Sequence, residues 1–407
     1  MRPKFKKKMR RDFPALVKIK RALYPENKTY LKFRRFSDYF SQQKIAGYVG
    51  WFGRKNLGDE TLWLAFKKLF PDFQLLNYTR ALNLSKLDFL LYQKAFRKKS
   101  LYDLVFLGGG TLIGMPTYLD KLQDAMQQNI PVAVFGAGVQ NVDFWLNTYD
   151  SAFFNATHTK DTELFKKWIN KVTEEFEEWM KTLKRSAYIS VRGPLSANIL
   201  ETHGMENVKI IGDPTLSLCT PRNSDFERKG KIGINIAGEY PAWGNSQEQV
   251  CKALSKTMGY LAKSGYEIEL LPMNPDDLKL SREIIKDSNL PNISIWDKYG
   301  KVHAALDHIK TFDLVIGQRL HSLVLACGCA VPSIALEYRP KCRDFMESIE
   351  ASDLCIKANL VTSERIIDLV KHIYAEYVKT CDKLVRICDR YRSIQQEEAK
   401  KIIKLIG

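Results

Sequence analysis

No stretch of the 407-residue chain approaches the roughly 18–20 consecutive apolar residues of a membrane span. The N-terminus is basic, yet it lacks the apolar region of roughly 7–15 residues that drives secretion. The expectation is an intracellular protein. Metal-binding patterns are also scarce. Six histidines are present, none in H-E-x-x-H spacing. The eight cysteines, at positions 219, 251, 327, 329, 342, 355, 381 and 388, follow no paired framework. Cys327 and Cys329 make only a C-x-C, and a chain this long needs no covalent staples. They read as ordinary thiols of a reducing cytosol, and no metal site is expected. No internal repeat at a solenoid period is present either.

What remains is a globular composition, 45% hydrophobic and 27% charged, in a chain long enough for two domains. The net charge of +17 is unevenly placed. Residues 1–40 hold fourteen Lys/Arg against three Asp/Glu, with Lys4, Lys6, Lys7, Lys8, Arg10 and Arg11 in one run. Such a leader suits an anionic membrane surface, at roughly 1 kcal/mol per basic residue near the headgroups; a solvated tail is the plainer alternative. Nucleic acid is not the expected partner, because the rest of the chain is only mildly basic and carries no nucleic-acid module.

Beyond the leader, short apolar runs alternate with helical patterns, which predicts βαβ units and parallel sheets. Strands are expected at 45–52, 73–78, 104–107, 131–135, 187–191 and 208–211, with a helix from about Glu60 to Phe70. After a polar stretch, 221–230, the pattern restarts: strands at 231–236, 267–271, 312–316 and 331–336, helices at 247–264 and 275–288. Apolar residues at helical spacing from Thr362 to about Tyr391 predict closing helices. Lys160 to Lys184 reads as a charged helical insertion on the outside. The division that follows is a leader (1–44), an N-terminal Rossmann-like domain (45–222), a C-terminal Rossmann-like domain (223–361) and C-terminal helices (362–407). The fold class is α/β, with two domains facing each other across a cleft.

The chemistry gathers at strand ends, where open α/β sheets bind ligands. Arg319 and His321 sit where the 312–316 strand hands over to a helix, and Tyr338, Arg339 and Lys341 follow the next strand. Arg192 ends the 187–191 strand. An imidazole among guanidinium and ammonium groups suits a small multiply charged anion with proton transfer to be done on it. His321 is the candidate acid–base group; as a bare helix cap it would need no such neighbours. In the loop Gly50 to Glu60, Asn56 and Asp59 are placed at the cleft, with Asp59 also able to cap the following helix. The triplet Gly108-Gly109-Gly110 ends a strand and opens toward a helix, so its amides could hold an anion. It is not G-x-G-x-x-G, and a dinucleotide site is not expected. Asp213 reads equally well as a turn residue paired with a nearby cation.

Seven of these pieces, in order, resemble the polysaccharide pyruvyl transferase family: G-x-x-N-L-G-D-E at 53–60, L-G-G-G-T-L at 107–112, G-A-G at 136–138, S-V-R-G-P-L-S at 190–196, G-D-P-T-L at 212–216, R-L-H-S at 319–322 and P-S-I-A-L-E-Y-R-P-K at 332–341. The resemblance covers about residues 45–350 and leaves out the leader and the 160–184 insertion. Position 193 is Gly where many relatives carry Asp, so no carboxylate acts there in this chain.

The resemblance implies a glycosyltransferase-B-like fold. It also implies transfer of a pyruvyl group from phosphoenolpyruvate to a sugar of a cell-surface polysaccharide or lipid-linked glycan precursor, as a cyclic ketal. Arg192, Arg319 and Lys341 would hold the phosphate and carboxylate of phosphoenolpyruvate, with His321 as the acid. Asn56, Asp59, Gly109 and Gly110 would lie against the saccharide acceptor, with Tyr240 and Trp243 as further stacking candidates. No cofactor is expected beyond the donor substrate. The expected setting is the cytoplasm, and for a lipid-linked acceptor the basic leader would hold the enzyme at the inner membrane face. The alternative is a nucleotide-sugar glycosyltransferase of the same fold, with Glu337 on a ribose. A non-catalytic carbohydrate-binding protein, which would have no need of His321, is a third reading.

Overall fold

A computed structural model describes residues 44–78, 102–140, 174–223, 225–238, 247–288 and 293–406. The basic leader, most of the 160–184 insertion, Tyr240 and Trp243 lie outside these residues. Among the described residues, no helix is long and apolar enough to cross a membrane.

Two sheets, parallel at every recorded strand pairing, form the framework. The first runs in the order β2-β1-β3-β5-β6-β7, from β1 (Lys44–Val49), β2 (Phe73–Asn77), β3 (Leu104–Leu107), β5 (Val132–Val139), β6 (Tyr188–Val191) and β7 (Lys209–Ile210); the short β4 (Gly110–Ile113) pairs with β5 off this path. The second runs β10-β9-β8-β11-β12-β13, from β8 (Lys231–Asn235), β9 (Glu267–Leu270), β10 (Ile293–Ile295), β11 (Leu314–Gly317), β12 (Ser333–Glu337) and β13 (Cys355–Lys357). Renumbered within its own domain, that is the 3-2-1-4-5-6 order of the doubly wound nucleotide-binding sheet. β3 and β5 are buried along their whole length, as strands covered by helices on both faces must be.

Three local expectations are revised. The first helix, α1, spans Leu57–Leu69 rather than starting at Glu60. Its cap is Asn56, whose Oδ1 accepts from the Gly58 amide at 3.1 Å; Asp59 lies inside the first turn. The glycine triplet opens into strand β4, not a helix: Gly110 adopts φ +99°, which re-aims the chain, and α2 (Pro116–Gln127) begins only later. The described part of the insertion, helix α3 (residues 174–184), keeps its charged residues Glu177, Glu178 and Lys181 outside, but it is amphipathic rather than wholly external. Phe176, Trp179, Met180 and Leu183, at i, i+3, i+4 and i+7, bury one face in the first domain's core.

The remaining helices that matter to the site are α4 (Pro194–Thr202), α5 (Gln247–Lys263), α6 (Pro275–Ser288), α7 (Val302–Ile309), α8 (Leu320–Gly328), α9 (Pro340–Ser348), α10 (Ser363–Ala375) and α11 (Tyr377–Ile406). The C-terminal pattern is two helices, broken at Glu376. At 30 residues, α11 is about 45 Å long. Its first half, with Cys381, Leu384 and Cys388, packs on the second domain; its last turns, with Ala399 and Ile402, join Phe66, Phe70, Phe106 and Phe135 of the first. Gln395 of α11 donates to the carbonyls of Ile211 (2.9 Å) and Asp213 (2.8 Å), so one helix fixes the two sheets to each other.

A second tie crosses the seam directly. Asp344 of α9, in the second domain, accepts from the Ser196 amide (3.1 Å) and hydroxyl (2.7 Å) of α4 in the first, and lies 3.5 Å from Arg192 Nη2. Arg192 and Asp344 are both buried. Removing one partner of such a pair leaves a charge stranded away from water. Asp344→Ala is therefore expected to lower stability by about 3–5 kcal/mol, and Asp344→Asn, which keeps an acceptor for Ser196, by clearly less. The urea midpoints of the two variants check this.

Candidate active site at the domain seam

The candidate site is built where carboxyl ends of both sheets meet. From the second domain, β11 ends at Gly317, the next residues turn, and Arg319 caps α8. That turn is held by the neighbouring strand: Asn235, ending β8, accepts from the Arg319 amide at 2.7 Å. β8 and β11 are the strands on either side of the sheet's reversal of order, the place where doubly wound folds bind ligands. The Arg319 guanidinium is gripped by Asp277 of α6 through Nε (3.1 Å) and Nη2 (2.8 Å). Asp277 in turn accepts from the Met273 and Gly238 amides, so Arg319 is held in a fixed orientation at the strand end.

His321, in the first turn of α8, points across the seam, with only 13% of its side chain exposed. Its ring lies so close to the Cα of Gly58 in α1 that a methyl group there would overlap the imidazole. Here the glycine of the 53–60 motif serves close approach of the two domains rather than a turn. The motif loop is docked on the same side: the Leu57 amide donates to the Met273 carbonyl at 2.8 Å.

Facing His321 from the first domain are Asp213 and Arg192. One carboxylate oxygen of Asp213 is occupied, accepting from the Thr215 amide (3.0 Å) and hydroxyl (2.7 Å). The other, Oδ2, lies 3.8 Å from His321 Nε2 and 3.8 Å from Arg192 Nη1, beyond hydrogen-bond reach of either. Arg192 is fully buried at the end of β6. Its Nη2 donates to the Thr111 hydroxyl (3.3 Å), while Nε and Nη1 have no hydrogen-bond partner. Tyr48 of β1, also fully buried, is wedged between Gly50 and Gly108, and its hydroxyl has no hydrogen-bond partner. Burial, then the charges of Asp59 and Asp213, push the phenol well above its usual range, so it is a neutral donor. Buried polar atoms are almost always hydrogen-bonded. Unpaired donors of Arg192 and Tyr48, one carboxylate oxygen and one imidazole nitrogen therefore mark a place built for a polar guest.

His321 is pushed down to about 4, chiefly by burial; Asp213 opposes this, while Arg192 and Lys341 add to it. At neutral pH the ring is uncharged. Lys341, in the first turn of α9, has its ammonium 5.0 Å from the Tyr338 ring, and Arg339 has its guanidinium 5.2 Å from the same ring. Among the described residues no group of three or more His, Cys, Asp or Glu is arranged to hold a metal ion.

The structure thus brings Arg192 to within 4 Å of Asp213, and Asp213 to within 4 Å of His321. Asn56 and Asp59 lie at the start of α1, beside Gly58. Arg319 is placed at the adjoining strand end with Asp277. Gly109 is buried behind Leu62, and Gly110 is part of β4. Tyr48, Asp277 and Asp344 were not anticipated. Tyr48 is an interior strand residue whose importance shows only when the two glycines flanking it in space are known.

The family model for polysaccharide pyruvyl transferases matches residues 56–340. No curated protein matches the chain. Among solved structures, a candidate UDP-N-acetylglucosamine 2-epimerase from Listeria monocytogenes superposes with a TM-score of 0.53 at 11% identity, covering 89% of this chain and 96% of that one. UDP-GlcNAc 2-epimerase from Neisseria meningitidis, bound to UDP-GlcNAc, gives a TM-score of 0.49 at 13% identity, covering 89% and 99%. The likeness to the first shows the glycosyltransferase-B-like fold and nothing finer.

The electrostatics can be read directly from the histidine. By NMR, the His321 ring is expected to titrate near 4 in the ligand-free protein. Asp213→Asn removes a charge that favours the imidazolium and should lower this value; Lys341→Met removes one that opposes it and should raise it. Equal shifts in one direction would contradict the arrangement.

Proposed function

This chain belongs to the polysaccharide pyruvyl transferase family, and on that premise we propose that it transfers the pyruvyl group of phosphoenolpyruvate to a saccharide, forming a ketal on two sugar hydroxyls. The observation that supports this most directly is the set of buried, unpartnered donors on Arg192 and Tyr48 around a neutral histidine. Phosphoenolpyruvate brings a phosphate and a carboxylate, and Arg192, Arg319 and Lys341 are the cations to meet them. Asp277 keeps Arg319 oriented for that contact.

Anion binding also supplies the acid. His321 is held neutral by burial and by Arg192 and Lys341. A ligand that neutralises both cations removes part of that opposition, and the Asp213 charge then favours uptake of a proton. The imidazolium gives this proton to the methylene carbon, creating oxocarbenium character at C2. One sugar hydroxyl attacks C2 and returns its proton to the imidazole. The C2–O bond to phosphate then breaks, the second hydroxyl closes the ketal, and its proton leaves with inorganic phosphate. Positive side chains offset the charge growing on the departing group. The acceptor approaches from the first domain, along Asn56, Asp59 and the edge of the glycine triplet at Gly110, with Gly109 behind Leu62 and out of its reach. The basic leader would serve a lipid-linked acceptor at an anionic membrane surface.

A glycosyltransferase reading finds less support. Glu337, its ribose candidate, is almost fully buried and accepts from Arg343 Nε at 2.8 Å.

The purified protein is expected to release phosphate from phosphoenolpyruvate only with a saccharide acceptor present. His321→Ala should reduce this release at least 100-fold while still binding phosphoenolpyruvate, because the cations remain. Calorimetry in buffers of differing ionisation enthalpy should show proton uptake on donor binding that is lost in His321→Ala. Thermal shift with a nucleotide sugar but not with phosphoenolpyruvate would instead favour the alternative donor.

A further inference from the structure

We propose that Trp51 is the platform on which a sugar ring of the acceptor stacks, at the mouth of the cleft and on the same loop that carries Asn56 and Gly58. This rests on the pyruvyl-transfer reading for the identity of the acceptor, but the platform itself stands on geometry. Trp51 is the second residue beyond the carboxyl end of β1, and 46% of it is exposed. Among the described residues the other large exposed hydrophobics are scattered singly, on α2's approach, α5, the 358–360 turn and α11. Those on α11, Val378 and Leu405, lie at its two ends. Among the described residues Trp51 and Met115 each lie two residues beyond a strand end, of β1 and β4, and of the two Trp51 is the aromatic one.

The loop is rigidly made. Glu60 of α1 reaches back to accept from the Gly53 amide (2.6 Å) and the Arg54 amide (3.1 Å). Gly53 and Lys55 take up left-handed backbone, φ +77° and +60°, which folds the loop tightly. Its far end is tied to the second domain by the Leu57 amide and by contact of Gly58 with His321. A residue presented by such a loop keeps its position relative to the proposed acid.

The indole is also prepared on one side. The Arg54 guanidinium lies 4.1 Å from its ring centroid, stacking on one face. Among the described residues no other aromatic or cationic group stacks on the ring. Its neighbour Phe52 instead turns inward, parallel to Trp63 at 4.4 Å, within reach of Tyr48. The loop thus alternates: one aromatic braces the wall that holds Tyr48, the next is offered to solvent. Sugar rings present axial C–H groups that pack on indole faces, while their hydroxyls need polar partners beside the ring. Asp59 and Tyr118 are such partners on this side of the cleft: the Tyr118 hydroxyl is raised by burial and by the Asp59 charge, and lowered by Arg54, so the three share one neighbourhood.

Two readouts on the full chain test this, using the methyl glycosides of galactose, mannose and N-acetylglucosamine as probes. In the first, tryptophan emission is followed as each glycoside is added without phosphoenolpyruvate. At least one should change the emission saturably in the native protein and not in Trp51→Ala. In the second, with the best glycoside as acceptor, Trp51→Ala should raise its KM at least tenfold while the KM for phosphoenolpyruvate stays within twofold. The exposed position should leave the melting temperature within about 2 °C, so a loss of fold is separable. An unchanged acceptor KM, or a glycoside-induced emission change that survives in Trp51→Ala, overturns the platform. So does loss of binding to anionic vesicles in Trp51→Ala with acceptor kinetics unchanged, which would make the indole a membrane contact. Saturable, Trp51-dependent binding without phosphate release would uphold the platform and count against pyruvyl transfer; release with unaltered acceptor KM would do the reverse.

Discussion

Arg192 has no access to solvent, and the site is arranged around that fact. A guanidinium cannot shed its charge by losing a proton at any ordinary pH, so burial must be offset by neighbours. Two carboxylates stand near it, Asp213 at 3.8 Å and Asp344 at 3.5 Å, one from each domain. Neither makes the tight forked pair that would satisfy it. Asp344 accepts its hydrogen bonds from Ser196, and Asp213 Oδ1 accepts from Thr215. Arg192 is compensated in charge and left unsatisfied in hydrogen bonds. An arginine fully paired in the resting protein would have to break a salt bridge to receive an anion. One held by Coulombic attraction and a single hydrogen bond from Nη2 to Thr111 can donate Nε and Nη1 to a ligand at once.

The same balance governs the histidine. Burial and two cations oppose the imidazolium, and Asp213 favours it without touching it. A direct Asp–His hydrogen bond would hold the ring charged more readily. Separation by 3.8 Å leaves the protonation state responsive to whatever occupies the space between. Because the Asp213 side chain is fixed through Thr215 and its carbonyl by Gln395 of α11, this spacing is inherited from the helix that joins the two domains. The long terminal helix therefore bears on the protonation of His321 through Asp213.

Much of this was legible in the chain. Arg192, Arg319, His321 and Lys341 stood out because each follows a short apolar run, and a parallel strand leaves its functional residues at the carboxyl end. The two-sheet architecture was legible for the same reason: runs buried on both faces read as strands wherever the neighbouring segments have helical periodicity. What could not be read were partners far away in sequence. Ser196 and Asp344 are 148 positions apart, and Arg319 and Asp277 are 42 apart, with no local pattern announcing either pair. The glycines were legible as features and not as contacts. Gly58 reads as part of a turn until His321 is found against it, and the 108–110 triplet reads as a helix start until Gly110 turns into β4.

A last constraint concerns cost. Each buried polar atom without a partner is worth roughly 1–3 kcal/mol of lost stability. Among the described residues such atoms also occur singly, on Gln74, Trp179 and Tyr374 for example, but Arg192, Asp213 and His321 carry four of them within one chain of neighbours at the seam. A chain free to optimise stability would close Asp213 onto Arg192 and remove most of the penalty with a small rotamer change. It is prevented from doing so by Thr215, which holds the carboxylate by its other oxygen, and by Thr111, which holds the guanidinium by Nη2. Two threonines thus keep opposite charges apart across a gap of 3.8 Å. Under the proposed reading, that separation is what a site preorganised for an anion requires, since the interactions withheld in the resting state become available when the ligand arrives.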